Sequence, residues 1–215
     1  MTKKVVFIDW NKTLSYSLFW EHLQDKKHPN HRHLPAIEKW LFVDNRNIIN
    51  SWMRGEFSAE DIASKMSQGT GVDSGMILDE LQRSCEEMRY SIDDLEDIVR
   101  RVRANGIEVV IATDNMDTFS RFTVPAMRLD TVFDGILNSY DTGYLKDDNH
   151  PEDSIPFFDE YLARHGWNYA DAILLDDSPD KSGKYKRLGF ERVLIDSPEV
   201  LEVELKRLVD VKKQL

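Results

Sequence analysis

Short apolar runs that each stop at a polar residue constrain this 215-residue chain more than any other feature. They are "VVFID" (Val5 to Asp9), "IEVVIAT" (Ile107 to Thr113), "AILLDD" (Ala172 to Asp177) and "ERVLID" (Glu191 to Asp196). Runs this short, continuous and rich in β-branched residues suit strands covered on both faces, as in a parallel sheet. The segments between them carry a helical period. "SIDDLEDIVRRVRANG" predicts a helix capped by Ser91, with acids in its first turn and arginines near its end. Its Ile92, Leu95, Ile98, Val99 and Val102 share one stripe, and Gly106 stops it. Strand and helix in alternation imply an α/β fold, a doubly wound parallel sheet of Rossmann-like type. An apolar content of 41% is sufficient to cover such a sheet.

Residues 15–90 break the rhythm, since they hold no strand-like run. "LPAIEKWLFVDNRNIINSWMRGE" places Pro35 at a helix start, and Ser58 and Asp61 have capping-box spacing. "DSGMILDELQRSCEEM" carries an Ile77, Leu78, Leu81, Cys85, Met88 stripe. We expect a helical insert over 15–90 and an α/β core formed by 1–14 with 91–215. Cys85, the single cysteine, excludes an internal disulfide and is expected as a core thiol in a helix. "GTGVDSG" follows a helix rather than a strand, so it is expected to be an inter-helix turn and not a phosphate loop. His28, His31 and His33 lie in a polar, proline-bearing stretch with no carboxylate at ligand spacing, and a solvated loop is expected there.

The formal charge of −11 argues against a nucleic-acid or anionic-lipid partner held through a broad basic face. An anionic substrate would need a local cation. No apolar run approaches the length of a membrane span or signal-peptide core, so a cytoplasmic, membrane-free protein is expected.

In a parallel sheet the carboxyl ends of the strands share one edge, and ligands bind there. Asp9, Thr113, Asp176 and Asp177 all fall on that edge. Clustered carboxylates are unfavourable unless a cation resolves them, and all-oxygen ligands suit Mg²⁺. "SYDTGYLKDD" adds Lys146 after the strand-like "GILNS" and a glycine turn, where an ammonium can balance a nucleophile or a phosphate.

Taken in order, "VFIDWNKT", "VVIATDN", "GYLK" and "ILLDD" resemble the motifs of the haloacid dehalogenase superfamily, whose members are mostly phosphatases. The likeness covers the sheet from Val5 to about Asp196, and the insert after the first motif resembles that family's helical cap. The resemblance implies Asp9 as nucleophile, Thr113 as a hydrogen-bond donor to the phosphoryl group and Lys146 as the residue that orients Asp9. It implies Mg²⁺ held by Asp9, the backbone oxygen of Asn11 and Asp176, with Asp177 behind them. Asp114 and Asn115 join Thr113 and Lys146 as substrate-binding residues, and a small phosphorylated metabolite is the implied substrate. Trp10 is expected either to pack beneath the cap or, as a substrate-binding residue, to line the pocket wall. Hinges for cap closure are expected near Ser15 to Phe19 and near Tyr90.

One position departs from the pattern. The family's phosphatases carry a second acid where this chain has Asn11, and that acid protonates the leaving oxygen and later activates water. An amide donates and accepts hydrogen bonds but transfers no proton near neutrality. Two functions follow: a slow Mg²⁺-dependent phosphohydrolase, or a catalytically silent relative that binds a phosphorylated ligand or a protein partner. The family's dehalogenases lack the acidic pair that this chain keeps at Asp176 and Asp177.

Overall fold

A computed structural model describes residues 3–149 and 151–210; the two ends of the expected core, 1–2 and 211–215, lie outside the described residues. The apolar runs form strands β1 (Val5–Ile8), β2 (Glu108–Thr113), β4 (Ala172–Asp176) and β5 (Glu191–Leu194), and "GILN" forms β3 (Gly135–Asn138). All pair in parallel in the order β3-β2-β1-β4-β5. Strand order reverses beside β1, so the crevice between the carboxyl ends of β1 and β4 is the natural ligand position.

The pleat divides the strand residues between two cores. Val6, Ile8, Val109, Ile111, Ile173 and Leu175 face a layer that includes helices Leu95–Ala104 and Pro198–Asp210. Val5, Phe7, Val110, Ala112 and Leu174 face helix Pro156–Arg164 and the short helix Lys184–Leu188. Phe7 there meets Phe158 at 4.8 Å and Tyr161 edge-on at 5.6 Å between ring centroids. Helix Leu95–Ala104 buries Leu95, Ile98, Val99 and Val102, each worth about 1.5–3 kcal/mol when removed from water.

The helix is shorter than the sequence suggests. It begins at Leu95 after Asp94, and Ser91 is not its cap. The Ser91 hydroxyl instead donates to the Thr13 carbonyl at 2.7 Å and its N–H to the Leu14 carbonyl at 2.8 Å. The chain's exit after β1 and its return before the helix therefore run side by side, and local cap chemistry gives way to this longer-range pairing.

Residues 15–90 contain helices Leu34–Glu38, Asn47–Met53, Ala59–Thr70 and Ser74–Glu86, with a π-helical segment at Lys39–Asp44. Pro35 sits in the first turn of its helix, and Ser58 with Asp61 forms the expected capping box. The long stretch expected to be helical from Leu34 is thus interrupted, and the π segment turns Phe42 and Val43 out to solvent. Gly69 lies in the last turn of helix Ala59–Thr70, and Gly71 opens the inter-helix turn after it. A Cβ on Gly69 would fall 2.1 Å from Trp40 Nε1, and Gly71 closes its helix at φ 74°. Cys85 is buried in helix Ser74–Glu86.

The insert shares the first core and is also tied to the sheet domain by polar contacts. Asp117 accepts from Trp52 Nε1 (2.8 Å), the Ala59 N–H (3.1 Å) and Arg121 (2.6 Å), while Thr123 donates to the Cys85 carbonyl at 3.1 Å. No helix among the described residues is long and apolar enough to cross a membrane.

Candidate active site at the strand ends

β1 ends at Ile8 and delivers Asp9, 6% exposed, to the carboxyl edge of the sheet. The Asp9 N–H donates to the Leu175 carbonyl at 2.9 Å, which seats it against β4. β4 ends at Asp176, and Asp177 follows. Oxygen atoms of Asp9, Asp176 and Asp177 lie within 4.8 Å of one another. Between them stands Lys146, whose Nζ donates to Asp9 Oδ1 at 2.7 Å and to Asp176 Oδ2 at 2.6 Å.

Lys146 arrives from a loop rather than a strand. Gly143, at φ 77°, ends the short helix Ser139–Thr142 after β3. The Lys146 N–H then donates to Asp114 Oδ1 at 3.0 Å, and its carbonyl accepts from the Tyr185 hydroxyl at 2.7 Å. The backbone is held on both sides, so the side chain points inward.

Burial pushes the Asp9 carboxyl up to about 7 although Lys146 pulls it down, because Asp176 and Asp114 add like charge. The same burial acts on Asp176, yet Lys146 and Arg192 more than offset it and hold that carboxyl below its usual range. The ammonium of Lys146 pays a desolvation cost of its own, and the carboxylates around it still keep it firmly charged. Asp114 is raised by burial, against the pull of Lys146.

Thr113 closes β2 with no exposed surface, and its Oγ1 has no hydrogen-bond partner. A buried hydroxyl in that state is costly unless a ligand completes it. Asn115 folds back on its own backbone, its Oδ1 accepting from Met116 and its N–H donating to Ser139 Oγ. Trp10 does two things at once. It packs on Phe119 at 5.1 Å and Tyr90 at 6.2 Å, and it also lines the cavity between strand ends and insert, with Asn11, Asp114 and Asn115. Asn11 is exposed to that cavity, free of the core packing that holds Asp9.

Arg192 is the neighbour that the sequence reading missed. Its side chain, 3% exposed, extends from β5, stacks over Tyr185 at 4.7 Å, and donates to Asp176 Oδ1 at 2.9 Å and Asp147 at 2.6 Å. A guanidinium inside the apolar run "ERVLID" is the signal that could have found it. Asp176 thus meets a cation on each oxygen, and Oδ1 also accepts the Ser178 N–H at 2.8 Å.

The site's chemistry suits a hard divalent cation. The donors are oxygens, two of the three carboxylates are buried, and Asp9 is short of positive charge even beside Lys146. A carboxylate offers about four lone-pair positions, so Asp176 can hold Lys146, Arg192 and a further cation together.

The histidine stretch is a correction. His28 and His31 are half-buried rather than solvated, and a carboxylate does reach them: Glu80, from a helix 50 residues on from Asn30. His22 Nε2 bonds Glu80 at 2.7 Å, Asn30 donates to the same carboxylate at 2.6 Å, and His31 donates to the Leu23 carbonyl at 2.7 Å. His28 Nδ1 accepts the Asn30 N–H at 3.2 Å, and its Nε2 lies 3.8 Å from Glu80. The bonds from His22 and Asn30 to Glu80 make the group a hydrogen-bonded knot within the insert, built by a spacing between helices that is invisible along the chain.

No family model matches the chain, and no curated protein does either. Solved structures match over nearly the whole length. The fold is similar to that of a predicted HAD-like family hydrolase from Porphyromonas gingivalis, 17% identical with a TM-score of 0.70, over 97% of this chain and 98% of that one. It is similar to a HAD family enzyme from Bacteroides thetaiotaomicron in complex with magnesium and inorganic phosphate, 14% identical with a TM-score of 0.62, over 89% of this chain and 93% of that one. L-2-haloacid dehalogenase from Xanthobacter autotrophicus, with chloropropionic acid covalently bound, matches at 14% identity and a TM-score of 0.61, over 96% of this chain and 83% of that one.

Proposed function

We propose, from the haloacid dehalogenase-like hydrolase fold that this chain has, that it is an Mg²⁺-dependent phosphohydrolase acting on a small phosphorylated metabolite. The observation that carries this is the triad of buried charges on one sheet edge, Lys146 bonded at 2.7 and 2.6 Å to Asp9 and Asp176. Asp9 is the nucleophile. Lys146 holds Oδ1 and turns Oδ2 toward the phosphorus; the new bond runs from Oδ2 to phosphorus, and the ester P–O bond breaks. The unpaired Thr113 hydroxyl donates to a phosphoryl oxygen. Mg²⁺, held by Asp9, the Asn11 carbonyl and Asp176 with Asp177 beside them, would keep Asp9 ionised and offset charge on the phosphoryl oxygens.

The leaving oxygen departs without a proton from position 11, because Asn11 has none to give. Water then cleaves the aspartyl-phosphate and returns Asp9. With no base at that position this half-reaction is slow. Residues 15–90, which share the cavity wall with the strand ends, act as a cap that excludes water, with closure at the Ser15–Phe19 and Tyr90 crossings.

Retention of Asp176 and Asp177 beside Lys146 favours phosphoryl transfer over halide displacement. A second function, binding of a phosphorylated ligand or protein partner without turnover, is favoured by one feature: Asn11, an exposed amide at the acid–base position. Phosphate release from a panel of phosphomonoesters, with and without Mg²⁺, on the native chain and Asp9→Asn separates the functions. Mg²⁺-dependent release that Asp9→Asn abolishes supports the hydrolase. Halide release from 2-haloacids without metal would replace it with a dehalogenase, and phosphate binding without release would replace it with a binding protein.

A further inference from the structure

The cavity between strand ends and insert has a volume of about 440 Å³, within the range of small-molecule sites. Its floor is made of Trp10, Asn11, Asp114 and Asn115, the residues that directly follow Asp9 and Thr113 at the ends of β1 and β2. The insert supplies an apolar wall, chiefly Leu18, Phe19, Phe42, Ile49, Met53 and Met88. Leu18 and Phe42 are 54% and 42% exposed, a cost in water that a bound apolar body would relieve.

The charges facing this cavity are all of one sign. Glu38, half-buried at the end of helix Leu34–Glu38, lines it, as does Asp114 at the floor. Among the described residues no lysine, arginine or histidine lines it. Glu38 makes no hydrogen bond or ion pair through its carboxylate among the described residues; the adjacent Lys39 is paired with Asp44 instead. Asp114 has one oxygen committed to the Lys146 N–H. The cation of the site, Lys146, is consumed by Asp9 and Asp176 on the phosphoryl side.

Resting on the phosphohydrolase function above, we infer that the substrate's leaving group is an apolar body carrying a protonated amine, with Glu38 as the residue that receives the ammonium. The phosphoryl group enters at Asp9, the body lies along the apolar wall, and the ammonium meets Glu38. An unpaired, partly desolvated carboxylate gains most from a charged donor. The same carboxylate repels a leaving group with a second phosphate or a carboxylate, since the wall offers neither a cation.

The test uses three aryl phosphates of one frame, ending para in aminomethyl, hydroxymethyl or carboxylate, assayed on the native chain, Glu38→Gln and Glu38→Lys. The readout is the ratio of kcat/KM between the aminomethyl and hydroxymethyl esters, so leaving-group reactivity cancels between variants. Glu38→Gln should lower that ratio by about 10- to 100-fold, through KM, the size expected for a charge-assisted hydrogen bond. Glu38→Lys should reverse the order in favour of the carboxylate ester. A ratio unchanged by Glu38→Gln overturns the inference while turnover of the hydroxymethyl ester keeps the hydrolase function standing. Should the native chain turn over none of the three, calorimetric binding of the matching arylphosphonates reads the same preference, and equal affinity for the amine and carboxylate forms overturns it.

Discussion

Replacing Lys146 by Met tests the charge arrangement on which the site depends. The ammonium is 5% exposed and bonds Asp9 at 2.7 Å and Asp176 at 2.6 Å. Met fills similar volume but leaves two buried carboxylates without that partner. Breaking a buried pair by removing one member costs about 3–5 kcal/mol, a large fraction of the 5–15 kcal/mol that typically holds a domain together. Arg192 still pairs with Asp176, so most of the loss should be felt at Asp9. Burial already lifts Asp9 to about 7 from a reference of 3.8, and loss of Lys146 lifts it further. A carboxyl raised in the folded state contributes stability that is present below its unfolded value and lost as pH rises through its folded value. The penalty of Lys146→Met should therefore be larger at about pH 8.5 than at about pH 5.5, where Asp9 takes up a proton in place of the ammonium. Urea unfolding with EDTA, followed by tryptophan fluorescence at both pH values, measures it. A penalty under about 1 kcal/mol, or one equal at both pH values, would refute the reasoning.

Asn11→Asp should raise turnover of phosphate esters by about 10²- to 10⁴-fold, with alkyl esters gaining more than aryl or acyl phosphates; rapid-quench assays should show the native chain's burst replaced by linear turnover. Trp52→Phe removes the indole donor to Asp117, whose side chain is 3% exposed, and chemical denaturation should show a loss of about 1–3 kcal/mol. Cys85, which burial pushes up to about 12, should resist thiol reagents at neutral pH in the folded protein and react at once in urea.

The sheet was legible because its signals are local: a run such as "AILLDD" needs only its own residues to declare a strand buried on both faces and a polar end. For the same reason Asp9, Thr113, Asp176 and Asp177 could be placed on one edge before any distance was known. Lys146 was legible only through its glycine turn, since nothing along the chain shows that its ammonium reaches Asp9, 137 residues away. Tertiary structure alone decided the rest. Ser91 has the chemistry of a helix cap, and the nearness of Thr13 gives it a different partner. The His28 stretch looked free of carboxylates because Glu80 approaches from another helix. Arg192 and Glu38 are ordinary charged residues in one dimension. In three, Arg192 is locked against Asp176, whereas Glu38 faces an apolar cavity that no cation lines among the described residues. Propensity and periodicity act over a few residues and write themselves into the sequence, while the electrostatics of a buried site depend on which distant groups the packing brings within hydrogen-bonding reach.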